Sequence, residues 1–130
     1  MDTINGVMWV ALGSVLGGTA RFCLSGFVAR RVGETFPWGT MAVNVSGAFL
    51  LGVLAASAAN HGIFAEVRPW QFAAIGILGT YTTVSSFSLQ TLALARDGEM
   101  TRAAGNMVLS LSLCLLAVTA GFAAGTSILG

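Results

Sequence analysis

Charged side chains punctuate the chain at Asp2, Arg21, Arg30, Arg31, Glu34, Glu66, Arg68, Arg96, Asp97, Glu99 and Arg102. Between them run four long uncharged tracts, at residues 3–29, 39–59, 70–95 and 103–130, and only Arg21 interrupts the first. A helix that crosses a hydrocarbon core of roughly 30 Å needs about 20 apolar residues. Each tract meets that length, so the pattern predicts four membrane-spanning helices at about residues 4–29, 39–59, 70–95 and 103–127. The connectors, residues 30–38, 60–69 and 96–102, are short and leave no room for a soluble domain. The expectation is one four-helix transmembrane domain over residues 1–130. The first tract has Asp2 before it and no basic n-region, so it reads as a retained helix and not a cleaved signal. Trp9, Trp38 and Trp70 are candidate interfacial anchors, the last two because they flank a span.

Composition excludes several classes. Hydrophobic residues make up 55% of the 130 positions and charged residues 8%, with mean hydropathy +0.83. Soluble domains carry about 25% charged residues, and disordered chains are poor in apolar ones. Six Arg, no Lys and a net charge of +1 give no basic footprint for nucleic acid. Cys23 and Cys114 lie in apolar stretches and are expected to be small buried hydrophobes. With four spans, Arg30, Arg31, Arg96 and Arg102 share one side, while the side holding both termini has Arg68. The positive-inside rule then places both termini outside. Gly13 and Gly17, and again Gly121 and Gly125, have GxxxG spacing, which points to close helix packing. Four short helices bury little surface alone, so an oligomer is expected.

Polar groups inside the spans are the informative ones, because each costs a few kcal/mol when unpaired in hydrocarbon. Arg21 has two readings: a side chain snorkelling to the interface, or a cation that concentrates anions at the mouth of a pathway. Asn44 can bond to another helix or donate to an anion, and Thr40 precedes it by one turn on the same face. In the third span, Thr80, Tyr81, Thr82, Thr83, Ser85, Ser86 and Ser88 all carry hydroxyls, just after Gly76 and Gly79. These hydroxyls could bond back to their own helix. Clustered beside glycine, they predict a break in mid-span. Such a break exposes carbonyls for a small cation and a helix N-terminus for an anion. Asn106 and Ser110 share a face of the fourth span, as a second polar track or as interhelical bonds.

The spans contain no Asp, Glu, Lys or His. Proton-coupled pumps use an intramembrane acid or His as relay. Hydroxyls, amides and one guanidinium are donors, which suits an anion, and the ring edge of Phe87 adds positive quadrupole. The sequence offers no nucleophile–base set, so no enzyme is expected.

Three motifs carry a resemblance across the whole chain. Gly17-Gly18-Thr19-Ala20-Arg21, Gly39-Thr40-x-x-Val43-Asn44-x-x-Gly47 and Gly79-x-x-Thr82-Thr83-x-Ser85-Ser86-Phe87-Ser88 resemble those of the Fluc/CrcB fluoride channel family. The resemblance implies an all-α membrane protein with a broken third helix, working as an antiparallel dual-topology dimer with two pores in the cell membrane. It implies passive fluoride export that relieves toxicity. It implies a structural sodium ion at the dimer interface, held by the backbone carbonyls of Gly79 and Thr82. Asn44 would line the pore, Thr40, Asn106 and Ser110 would form the polar track, Ser86 and Phe87 would meet the ion, and Arg21 would stand near the vestibule.

The chain departs from the family pattern where Val84 replaces the first of two Phe, Gln90 replaces a Glu, and Asn106 replaces an aromatic. With the Arg bias, these departures suggest pairing with a homologous subunit of opposite orientation. The competing view is a conducting homodimer. The other function classes are a small multidrug-type proton-coupled exporter, which lacks its acid here, and a non-conducting partner subunit.

Overall fold

The computed structural model describes residues 2–33 and 35–129. Four helices, Thr3–Val32, Trp38–Ala59, Val67–Arg96 and Met100–Ile128, are long and apolar enough to cross a membrane. Helix α1 covers Asp2–Val32 and α2 covers Trp38–Ala59. A 3-10 turn at Ile63–Ala65 leads into the third span. That span begins as α3, Val67–Trp70, widens to i+5 hydrogen bonding over Gln71–Leu78, and tightens again in α4, Gly79–Tyr81. Thr82 is extended, with φ −80° and ψ 157°. Helix α5 then runs over Ser85–Arg96, and α6 over Met100–Leu129. The chain is thus a multi-pass, all-helical membrane protein.

Packing follows the glycines. A Cβ at Gly13 would strike the Phe72 carbonyl and lie 2.9 Å from the Gly76 Cα; one at Gly17 would strike the Ile77 carbonyl. Helix α1 therefore seats against the widened part of the third span. Gly121 and Gly52 face each other's helices, and a Cβ on Gly52 would lie 2.7 Å from the Phe122 nitrogen. This is the α2–α6 contact, the most extensive in the molecule. The first half of the third span packs on α1, and its second half packs on α6. Val43, Leu78 and Tyr81 form a small buried core, closed by Leu24 and Leu54. Elsewhere large apolar side chains face outward, with Phe22 80% exposed and Val84 75% exposed. A continuous apolar exterior of this extent needs lipid or another subunit to cover it.

The Cys expectation is corrected in part. Cys23 is exposed, and Cys114 is intermediate. Cys23 lies off the Gly13–Gly17 stripe by which α1 seats against the third span.

Helix ends use local caps. Gly98 (φ 81°) stops α5, with Gly98 N–H donating to the Ala95 carbonyl at 3.2 Å and Glu99 N–H to the Leu94 carbonyl at 2.8 Å. This is the Schellman arrangement, in which a residue of positive φ closes the helix. At the end of α2 that place falls to His61, at φ 60°. Gly62 N–H donates to the Ser57 carbonyl at 2.7 Å. A left-handed non-glycine residue costs roughly 1–2 kcal/mol. His61→Gly should therefore raise the melting temperature of the detergent-solubilised protein, by the equivalent of about 1 kcal/mol after glycine's own entropy cost.

Candidate functional site

The short stretch between α4 and α5, where Thr82 is extended, is held from outside by α2. The Asn44 Oδ1 accepts from the Thr83 N–H at 2.8 Å, and the Asn44 Nδ2 donates to the Thr83 carbonyl at 2.9 Å. One amide satisfies both backbone groups of the residue at the break, and this pairing fixes which way round the amide sits. A second Nδ2–H remains to donate. Thr83 also accepts on Oγ1 from the Ser86 N–H at 3.3 Å, which caps the start of α5.

These bonds redirect two donors. In an unbroken helix the Thr83 N–H would serve the Gly79 carbonyl, and the Ser86 N–H would serve the Thr82 carbonyl. Both are used elsewhere here. The two carbonyls are left without their usual partners, in a groove of about 470 Å³ shared with Asn44, Thr83, Val84 and Cys114.

The hydroxyl run divides in two. Thr80 and Thr82 bond back to their own helix, at the Gly76 carbonyl (2.8 Å) and the Leu78 carbonyl (2.9 Å). Tyr81 is buried, with its phenol 2.8 Å from the Ser46 hydroxyl. Ser86 instead lines a second cavity of about 600 Å³, together with Thr40. This cavity lies between the end of α1, the start of α2, α5 and the start of α6, and Asp97, Glu99 and Arg102 reach its wall. Arg102 and Glu99 pair at 3.7 Å.

Asn106 and Ser110 belong to a separate cluster. Asn106 is 1% exposed. Its Nδ2 donates to the Thr91 hydroxyl at 2.8 Å, and its Oδ1 accepts from the Ser110 hydroxyl at 3.3 Å. The Thr91 hydroxyl donates onward to the Phe87 carbonyl at 2.8 Å. This chain ties α6 to α5 at the Phe87 carbonyl, and Phe87 itself is half-buried. Sequence reasoning missed Thr91, although its hydroxyl stands one turn after Phe87.

Arg21 falls on the α1 stripe that steps through Gly13, Gly17 and Ser25. Gly17 meets Ile77 and Thr80, and Gly39 packs on the backbone of Ser25, so Arg21 sits at the level between these contacts. It is partly buried. The structure thus gathers Thr40 and Ser86 at one cavity, Asn44, Gly79 and Thr82 at the neighbouring groove, and Phe87, Asn106 and Ser110 at the α5–α6 seam. Asn44 and Thr83 connect the first two groups.

The chain is similar to known proteins over most of its length. A model of the family described as CrcB-like protein, Camphor Resistance (CrcB), matches residues 8–122. The Rhodopseudomonas palustris protein named Fluoride-specific ion channel FluC 2 is 65% identical over 124 residues, covering 95% of each chain. A Bradyrhizobium diazoefficiens protein of the same name is 60% identical over 120 residues, covering 92% of this chain and 88% of its own. Fluoride-specific ion channel FluC 4 of Brucella abortus is 50% identical over 121 residues, covering 92% and 91%. A match over most of the chain, with identities this high at nearly full length, establishes that the chain belongs to the CrcB-like family.

Proposed function

We propose that the protein is a passive, fluoride-selective channel that lets fluoride leave the cytoplasm and so relieves its toxicity. The observation that carries this reading is the clamped break: Asn44 holds Thr83 open at the point where α5 begins. The first turn of α5 carries the positive end of the helix dipole, and Ser86 of that turn lines the cavity. Thr40, Ser86 and the spare Nδ2–H of Asn44 replace water around the anion. The Phe87 ring edge and the Asn106–Ser110 track carry it further, and Arg21 raises the anion concentration near the cavity. No group along this route takes up a proton. Relatives bearing the name fluoride-specific ion channel support the reading.

The working unit in this reading is an antiparallel dual-topology dimer in the cell membrane, with the third helix broken at mid-span in each subunit. A structural sodium ion fits the groove, because Gly79 and Thr82 offer two carbonyl oxygens freed of their helical donors, the type of ligand that unwound membrane helices give to sodium. Two carbonyls from one chain are too few to enclose a cation, and a second subunit would supply the rest. Bound there, sodium would neutralise the exposed dipoles and fix the two chains together. The Arg bias and Val84 favour a homologous partner of opposite orientation over a self-paired chain, and numbered names such as FluC 2 and FluC 4 among the relatives fit that view.

Growth of a bacterial strain lacking fluoride export tests the function. The chain, alone or with its homologous partner, should restore growth on fluoride. Failure in both conditions would remove the reading.

A further inference from the structure

We propose that Tyr81 and Ser46 are positioning residues for sodium. Their hydroxyl pair on one side, and the Asn44 clamp on the other, set the placement of the Gly79 and Thr82 carbonyls, so the pair controls how tightly sodium is held. The proposal rests on the sodium reading above and deepens it.

The starting observation is how α2 meets the extended residue. Val43 and Gly47 stand one turn apart and form a seam along α2. Val43 is fully buried, in the core with Leu78 and Tyr81. A Cβ at Gly47 would strike the Thr82 methyl and lie 3.1 Å from the Tyr81 Cδ2, so glycine lets the third span lie directly on the helix there. Asn44 and Ser46 are about 200° apart at 3.6 residues per turn, one on each side of that seam. Asn44 reaches the backbone of Thr83. Ser46 reaches the Tyr81 phenol, at 2.8 Å. The two side chains therefore grip the chain immediately before and immediately after extended Thr82.

The donor in the Tyr81–Ser46 pair follows from its neighbours. Ser46 Oγ donates its one proton to the Val43 carbonyl at 3.1 Å, so its oxygen accepts and the phenol donates. Tyr81 is 9% exposed, and Ser46 is the partner its phenol finds among the described residues. A phenylalanine ring would bury nearly the same surface. The hydroxyl adds a direction, because a hydrogen bond constrains angle as well as distance. It pins the ring to α2, and with it the backbone of α4, Gly79–Tyr81.

Asn44 acts on the other side. Its Oδ1 holds the Thr83 N–H, and the trans peptide turns the Thr82 carbonyl to the opposite side, away from Asn44. One clamp thus sets the Thr82 oxygen, and the Tyr81 anchor sets the Gly79 oxygen at the start of the same short helix. Holding both oxygens in their binding placement removes the cost of ordering them when a cation arrives, which raises affinity. Without the phenol bond α4 is held by apolar contact alone, and the two oxygens lose their fixed separation.

The test is the melting temperature of the purified, assembled protein across a sodium series, with choline replacing sodium at constant ionic strength. Tyr81→Phe and Ser46→Ala should each raise the sodium concentration for half-maximal stabilisation about 5-fold, the worth of one hydrogen bond. The double variant should shift no further than either single one, because both remove the same bond. Ser46→Thr keeps the hydroxyl and should keep the parental midpoint, as should Thr119→Ala, on an exposed hydroxyl that bonds back to its own helix. Tyr81→Phe leaves Ser46 bonded to Val43 and keeps the ring, so it carries the test if Ser46→Ala fails to assemble. An unchanged midpoint in Tyr81→Phe would overturn the assignment, as would a loss of stability of equal size at every sodium concentration. If the parental protein gains no stability from sodium, the sodium reading itself falls, and this assignment with it.

Discussion

Asn44→Ala should lower fluoride flux by about 100-fold while leaving the four helices in place. The substitution strips the Thr83 N–H and carbonyl of their partners at 2.8 and 2.9 Å. Each unpaired backbone group at membrane depth costs about 1–3 kcal/mol, so two together amount to roughly two decades in the population of the open break. The segment then relieves itself by closing toward a continuous helix. That closure returns the Thr83 N–H to the Gly79 carbonyl and removes both the anion-facing helix start and the freed oxygens. Asn44→Asp should fail as well, because a carboxylate can accept from Thr83 N–H but has no donor for its carbonyl and brings a negative charge to an anion path. Efflux measurements on the purified variants check this. Growth on fluoride equal to the parent would show that the clamp is not needed for conduction.

Gly121→Leu should abolish the folded protein altogether. A Cβ there strikes the Phe49 carbonyl and lies 3.2 Å from the Phe49 Cα, and the opposing Gly52 is just as tightly placed against α6. Two backbones in contact cannot make room the way a flexible side chain can. Overpacking of a rigid contact costs about 3 kcal/mol or more, and here it separates the largest helix pair. Gly105→Ala gives the contrast. No atom lies within 4 Å of a Cβ at Gly105. There the exchange should be neutral or stabilising, by up to about 1 kcal/mol from helix propensity. Yield of assembled protein and its melting temperature distinguish the two.

That contrast marks what the sequence could and could not convey. Hydropathy alone located four spans, since lipid thickness sets their length. The GxxxG pairs pointed to packing, and the structure bears this out. Gly52 and Gly105 nevertheless look alike in a string of letters, because a glycine's role depends on the helix opposite. The hydroxyl run and Gly79 drew attention to the stretch around extended Thr82, but not to which hydroxyls stay free. Thr80 and Thr82 turned out to bond back to their own helix, while Ser86 faces the cavity. Asn44 stood out as a polar residue in an apolar span. Its partner Thr83 lies 39 residues away, a pairing no local pattern encodes. The widened helix at Gln71–Leu78 had no signal either. Its sequence has no pattern that distinguishes i+5 from i+4 bonding, and Gly13 and Gly17 on α1 lie against it.

The central claim is that donor groups in spans that contain no acidic side chain let fluoride, and not a larger halide, cross the bilayer. Electrode-detected efflux from liposomes loaded with fluoride or with chloride tests it most directly, using the chain alone and with a homologous partner. The account predicts rapid fluoride release from the assembled channel and negligible chloride release, with the lone chain weaker than the pair. Vesicles that retain fluoride in both conditions, or that release chloride as readily, would contradict it.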